Sequence, residues 1–316
     1  MLSDLKVVTD QLQFPEGPVV LGNGDVLVVE IKRGTLSRVT PKGEVYVVAE
    51  TGGGPNGAAL GPNGDIFICN NGGFEWQEVD GLTIPLHTPD SYVGGSIQRV
   101  NPTTGEVSVL YTHCGARPLY GPNDLVFDSS GGFYFSDYGK TYPEYRTHGY
   151  LYYARADGSE ITCLVEGMLG PNGVGLSPDE TVLYCAETPT ARLWAFDITT
   201  PGKLAPGPTA FQPGRLVASL PDYCLLDSLK VEVSGAVCVG TLVKGGVTRF
   251  SPEGAHEFIS FPDISITNLC FGGADGCDVW ATGSSTGRLY RGRWSQAGLA
   301  LNYAEMNYPL MSIKLT

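Results

Sequence analysis

No stretch of this 316-residue sequence approaches the roughly 20 consecutive apolar residues that a membrane-spanning helix needs. Clustered basic residues are missing too. With 20 Lys and Arg against 33 Asp and Glu, the formal charge is −13, which argues against nucleic acid or an anionic membrane as partner, since both demand concentrated positive charge. Histidine is scarce: His87, His113, His148 and His256 lie scattered, and the eight cysteines never form a C-x-x-C pair, so no His/Cys set has zinc-ligand spacing. Several cysteines sit inside apolar runs such as DIFICN and AVCVGT, which reads as buried reduced thiols. The opening MLSDLKVVTDQLQF carries neither a basic leader nor an apolar run of signal-peptide length, and the expectation is a cytoplasmic protein.

Abundant instead are glycine (43) and proline (22), set in a chain that is 42% hydrophobic. Punctuation that dense, without a collagen period, excludes long helices and fits many short strands joined by tight turns. Self-similarity organises them. PEGPVVLGNGDVLVVE, PNGAALGPNGDIFICN, PNDLVFDSSGGFYFSD and PNGVGLSPDETVLYCA share one template, and LDSLKVEVSGAVCVGT and TNLCFGGADGCDVWAT are weaker copies; the six begin at residues 15, 55, 122, 171, 226 and 267. Each reads as a polar corner, an apolar strand, a Gly/Asn/Asp/Pro turn and a second apolar strand. Most are followed by another strand pair, for example TLSRVTPKGEVYVVAE or GGVTRFSPEGAHEFISF. Two hairpins per repeat make a four-stranded antiparallel blade, and six repeats predict an all-β, six-bladed β-propeller around a central channel, with residues 1–316 as one domain. LKVVTD, upstream of the first corner, is available to close the ring, with the C-terminal LALNYAEMNYPL as competitor. The longest excursion, from Asn71 to Gly95, shows no strand periodicity and is read either as a lid or as a surface loop, with Phe74, Trp76, Ile84 and Tyr92 as its apolar residues.

The second position of each corner holds Glu16, Asn56, Asn123, Asn172, Asp227 and Asn268. One such residue would be an ordinary turn former. Six at equivalent places, all bearing side-chain oxygen, predict convergence at the channel mouth. Hard oxygen donors including two carboxylates suit one divalent cation, with Ca²⁺ expected and Mg²⁺, Mn²⁺ or Zn²⁺ as alternatives, zinc being disfavoured by the missing His/Cys set. The G-x-S-x-G match from Gly283 to Gly287 is declined as a nucleophile elbow, because VWAT before it and RLYRGRW after it form a hairpin and not a strand followed by a helix.

FPEGP, GPNDLVFD, PNGVGLSPD, LDSLKVEVSG and TNLCFGG, in that order, resemble the senescence marker protein, gluconolactonase and luciferin-regenerating enzyme family, from about Phe14 to Arg291. The resemblance implies a six-bladed propeller with a catalytic divalent metal, often calcium, at the channel mouth. By it, Glu16, Asn172 and Asp227 match the three shared ligands. Asn123 matches an asparagine that ligates calcium in the similar diisopropyl fluorophosphatase and touches substrate in gluconolactonase-type members. Asn56 and Asn268, with Tyr138 and His148, form the expected substrate-facing set. Two positions depart from the pattern: Gly121 stands where sugar-lactonase members carry arginine, and Lys230 stands where some members use an aspartate for a second calcium, so a single channel metal is expected.

The function implied is metal-dependent hydrolysis of a small-molecule lactone, with Asp227 as general base on water, or less favourably as nucleophile, and Tyr138, Lys140 and His148 in reserve. Hydrolysis of a phosphotriester or fluorophosphate on the same metal, a non-catalytic binding propeller, and a carbon-bond enzyme similar to strictosidine synthase are the rival readings.

Overall fold

The computed structural model describes residues 2–304 and the backbone of residues 313–314. Six antiparallel meanders form the blades of a β-propeller. Counting from the first corner, their innermost strands are Pro15–Val20, Pro55–Leu60, Pro122–Phe127, Pro171–Leu176, Leu225–Val231 and Ile266–Gly272. The first five blades continue outward through three sequential strands, as in Val26–Glu30, Thr35–Val39 and Val45–Glu50 of the first. In the sixth, Asp278–Gly283 and Arg288–Arg293 follow, and Ser3–Thr9 supplies the outermost strand, with Val7 opposite Tyr290. LKVVTD therefore closes the ring as expected. The rival C-terminal stretch lies partly outside the described residues. Its described part runs along the far end of the inner strands, where Leu299 N donates to Val231 O and Asn302 Nδ2 to Phe127 O. Ile313–Lys314 adds a short fifth strand to the first blade, and Lys203–Leu204 one to the fourth.

There is no single core. Six apolar clusters each lie between neighbouring blades, for example Phe67, Cys69 and Ile97 of the second blade against Leu125, Phe127 and Phe133 of the third. The sixth blade meets the first through Trp280 and Cys270 against Val26 and Val28. Because both faces of a blade are covered, the second strands are apolar at almost every position: all five residues of Val26–Glu30 and of Ile66–Asn70 are buried. Full burial of one such Leu or Phe is worth roughly 1.5–3 kcal/mol, so ring closure stabilises every blade through two neighbours. All eight cysteines are free, five of them buried, as their apolar settings predict. Among the described residues no helix is long and apolar enough to cross a membrane.

One reading needs correction. The Asn71–Gly95 excursion contains a two-stranded hairpin, Trp76–Val79 with Leu82–Pro85. Asp80 and Gly81 both take positive φ, 51° and 78°, as a two-residue Asp-Gly hairpin turn requires. The signal was present as an Asp-Gly pair, but partly exposed strands lack the apolar alternation that marks the blades. The excursion is tied down on three sides. Trp76 packs on Phe14 at 4.9 Å, Thr83 N donates to Ser285 O, and both Thr88 N and Thr88 Oγ1 donate to Thr141 O, so it arches from the sixth and first blades to the third.

Candidate metal centre

In each innermost strand the pairing slips at the same place, next to the corner: between Glu16 and Val19, Pro55 and Ala58, Pro122 and Leu125, Pro171 and Val174, Leu226 and Leu229, and Ile266 and Asn268. Such a bulge bends the strand and re-aims the side chain beside it, which is how a β-ribbon can turn one residue out of its plane. Neighbouring corners also approach closely. A Cβ on Gly17, whose φ is +52°, would stand 2.7 Å from Ala58 N, and one on Gly173 2.4 Å from Leu229 N, so no side chain fits there.

Each corner in the first four blades is braced by a polar residue that ends the second strand of the same blade. Glu30 Oε2 accepts from Gln13 N, Asn70 Oδ1 from Gly54 N, and Glu187 Oε1 from Leu169 N. Asp137 accepts from the backbone N–H groups of Tyr120, Gly121 and Gly139 at 2.7, 2.7 and 2.9 Å. The sequence reading missed this second ring, although three of the copies visibly end in E, N and D.

Glu16, Asn56, Asn123, Asn172 and Asn268 are all at least nine-tenths buried, and Asp227 is half-buried. Glu16 Oε2 accepts from Gly17 N at 2.6 Å and from Asn268 Nδ2 at 2.7 Å, while Oε1 is buried with no partner. Burial first, with Asp124 adding repulsion, raises the Glu16 carboxyl to about 7 against the pull of Asn268 and Gly17. Burial, and then the Glu16 charge, hold the Asp227 carboxyl well above the usual range, and a hydrogen bond from Asn172 opposes them. Asn172 Nδ2 in turn donates to Thr188 Oγ1 at 3.1 Å. Asn123 Oδ1 is buried and unpartnered.

Asp124, which the sequence reading passed over, is 1% exposed, and its Oδ2 lies 3.8 Å from Lys230 Nζ. The same ammonium donates to Leu229 O at 3.0 Å and Asn268 Oδ1 at 3.3 Å. Once ionised, the three carboxyls of Glu16, Asp124 and Asp227 against the one ammonium of Lys230 leave two negative charges on this part of the channel. Among the described residues no three His, Cys, Asp or Glu side chains are gathered in metal-binding geometry, so a cation here would depend on asparagine carbonyls as well as carboxylates. The donors present fit that demand. All are hard oxygens, three of the buried ones (Glu16 Oε1, Asn123 Oδ1 and Asp124 Oδ2) have no hydrogen-bond partner, and the charge left when the carboxyls ionise equals that of one divalent ion.

The remaining expectations divide. The Tyr138 hydroxyl is pushed up by burial and feels Arg146, Asp227 and Thr188, which places it beside the corner ring. His148 is exposed on its loop, and the structure does not draw it into the ring. Lys140 is buried, but its Nζ donates to Asn71 O at 2.9 Å and Gly73 O at 2.7 Å between the rings of Phe74 and Tyr92. Burial lowers its pKa to about 8. It latches the excursion to the third blade. Replacing Lys140 by Met should leave both carbonyls unpaired, costing about 1–3 kcal/mol by urea melting, and should speed proteolytic nicking within residues 71–95. The Gly283–Gly287 segment is a hairpin turn, and Ser284 Oγ is spent on Pro15 O at 2.5 Å. A cavity of about 1070 Å³ lies at the opposite end of the channel, lined by apolar residues such as Val19, Leu60, Val126, Leu176 and Val231. It contains none of the corner side chains.

A six-bladed propeller whose channel mouth is ringed by one oxygen-bearing residue per blade defines the class. The chain belongs to the SMP-30/Gluconolactonase/LRE-like family, whose match covers residues 14–285. A gluconolactonase of Zymomonas mobilis is 27% identical over 300 residues, spanning 85% of this chain and 76% of that protein. The lactonase drp35 of Staphylococcus saprophyticus is 29% identical over 229 residues, 71% of this chain but only 63% of its own length. In structure the chain is similar to a gluconolactonase of Xanthomonas campestris, with TM-score 0.71, 23% identity and coverage of 92% and 89% of the two chains. It is also similar to a calcium-binding regucalcin of Agrobacterium tumefaciens, with TM-score 0.72, 16% identity and coverage of 98% and 97%. Those two likenesses speak to the fold.

Proposed function

We propose that this protein is a lactonase that uses one divalent cation, Ca²⁺ by preference, held by Glu16, Asn123, Asn172 and Asp227. The observation that carries the reading is the pair of buried, unpartnered oxygens, Glu16 Oε1 and Asn123 Oδ1, in a channel mouth that would hold two uncompensated negative charges once its three carboxyls ionise. The names of the gluconolactonase and lactonase relatives support the substrate class.

When bound, the cation supplies an electrophile for the lactone carbonyl oxygen. Asp227 takes a proton from water at a carboxylate oxygen as that water attacks the carbonyl carbon, and the ring C–O bond breaks to release a hydroxy acid. Asn172, anchored on Thr188, orients Asp227. Tyr138, whose hydroxyl feels both Asp227 and Thr188, would donate a proton to the departing ring oxygen and regain one from Asp227. Asn268 holds Glu16 by one oxygen and thereby presents the other. Lys230 neutralises Asp124 and occupies the deeper channel, which supports a single metal.

A panel of γ- and δ-lactones, with a phosphotriester as comparator, tests this. Hydrolysis should fall at least tenfold with chelator and return on adding Ca²⁺. If no lactone turns over while the phosphotriester does, the substrate class is wrong; activity indifferent to chelator would remove the metal from the mechanism.

A further inference from the structure

The hairpin between the second and third strands of the third blade carries a cation that the mechanism does not use. Arg146 pairs with Thr141, and the turn is closed by Tyr142 N donating to Tyr145 O at 2.7 Å and by Thr147 Oγ1 accepting from Lys140 N at 2.8 Å. Its guanidinium carbon sits 5.0 Å from the centre of the Tyr138 ring. Nη2 lies where a side chain at Gly170 would begin, 2.7 Å from the Cβ that residue lacks, and Gly170 stands two residues before Asn172. Arg146 is therefore held at the rim of the corner ring, by a tight turn, an aromatic face and the space a glycine leaves.

Besides its contact with the Tyr138 hydroxyl, two of its donors are idle. Nε and Nη2 are both buried, and neither has a hydrogen-bond partner. Among the described residues Arg146 forms no ion pair, in a chain whose formal charge is −13. Nε–H and Nη2–H form one edge of the guanidinium, two parallel donors spaced for the two oxygens of a carboxylate. No carboxylate of the ring forms an ion pair with it, and under the function proposed above Glu16, Asp124 and Asp227 would be balanced by Lys230 together with one divalent ion. A half-buried cation with two buried, free parallel donors calls for an anionic ligand.

The geometry points to Arg146 as a specificity residue that binds a free carboxylate on the substrate, making the preferred substrate a lactone that bears a carboxylate substituent. The inference takes its lactone from the function proposed above, but the carboxylate contact itself needs no turnover.

Two measurements separate the two. Binding of glutarate to the metal-stripped protein, with inorganic phosphate as the competing anion, should be weakened at least tenfold in Arg146→Met and partly kept in Arg146→Lys, which retains charge but not the fork. Hydrolysis of a carboxylate-bearing γ-lactone and its carboxamide twin should favour the acid at least tenfold in kcat/KM, chiefly through KM, and Arg146→Met should abolish that preference. The melting temperature of Arg146→Met should equal or exceed that of the parent, since an unpaired buried charge is removed; a marked drop would make Arg146 a structural residue and overturn the proposal. Lactone turnover without acid preference overturns it too, leaving the lactonase reading intact, as does tighter binding of phosphate than of glutarate. Arg146-dependent glutarate binding with no lactone turnover keeps the anion site and sinks the lactonase reading.

Discussion

Asp227→Asn should lower lactone turnover at saturating Ca²⁺ by about 10²–10⁴-fold, the range that a positioned general base contributes. Asparagine preserves shape, so the loss would come from the carboxylate's charge and its capacity to take a proton. A metal-bound carboxylate is a poor base, and that is the main physical objection to the assignment. The setting of Asp227 answers part of it: burial and the Glu16 charge both raise its pKa before any cation arrives, so it begins from a higher value than a solvated aspartate. Metal affinity must be measured alongside, because the variant also removes one of two negative ligands. A variant that binds Ca²⁺ and keeps most of its turnover would move the base elsewhere, and Tyr138, whose hydroxyl feels the Asp227 charge, is then the next candidate.

The six corners were legible because a propeller repeats its chemistry at a fixed place in each copy, and a template position survives loops of any length. The closing strand was legible for a related reason. LKVVTD has strand character and no partner of its own before the first blade. What the sequence could not show is which residues meet across blades. Lys140 donates to carbonyls 69 and 67 residues away, so a side chain that looks catalytic in sequence proves to be a latch. Arg146 sits in an excursion that breaks the repeat, and only ring geometry brings it to Gly170. Asp124 follows a corner that already had its polar residue, and its relation to Lys230 depends on two inner strands facing one channel. The polar residues that end the second strands were visible but unread, since their partners are backbone N–H groups. Equal corners in sequence have thus become unequal in space: Glu16 and Asp227 are electrostatically coupled, while Asn268 serves Glu16 and Lys230.

That coupling gives the metal-free protein a stability that falls as pH rises. Glu16 titrates near 4.5 when unfolded and at about 7 in the fold, so across this window the folded chain keeps a proton that the unfolded chain has released. Stability is fully present below about 4.5 and should decline by about 3 kcal/mol by pH 7 from Glu16 alone. Asp227 and Asp124 are shifted in the same direction and add to the slope. Carboxyls with depressed values, such as Asp275 at about 2, act at lower pH, because their contribution is complete above the ordinary carboxylate range. Ca²⁺ reverses the trend, since it needs both carboxylates ionised and stabilises the fold more as protons leave. Urea melts in chelator at pH 5, 6, 7 and 8 should show the decline. The same series with Ca²⁺ should be flat or rising, and Glu16→Gln should reduce the slope in chelator while leaving the part that Asp227 and Asp124 contribute. If metal-free stability instead climbs from pH 5 to 7, Glu16 and Asp227 are ionised without a cation, and the charge imbalance that argues for a metal at this mouth is being met by something else in the channel.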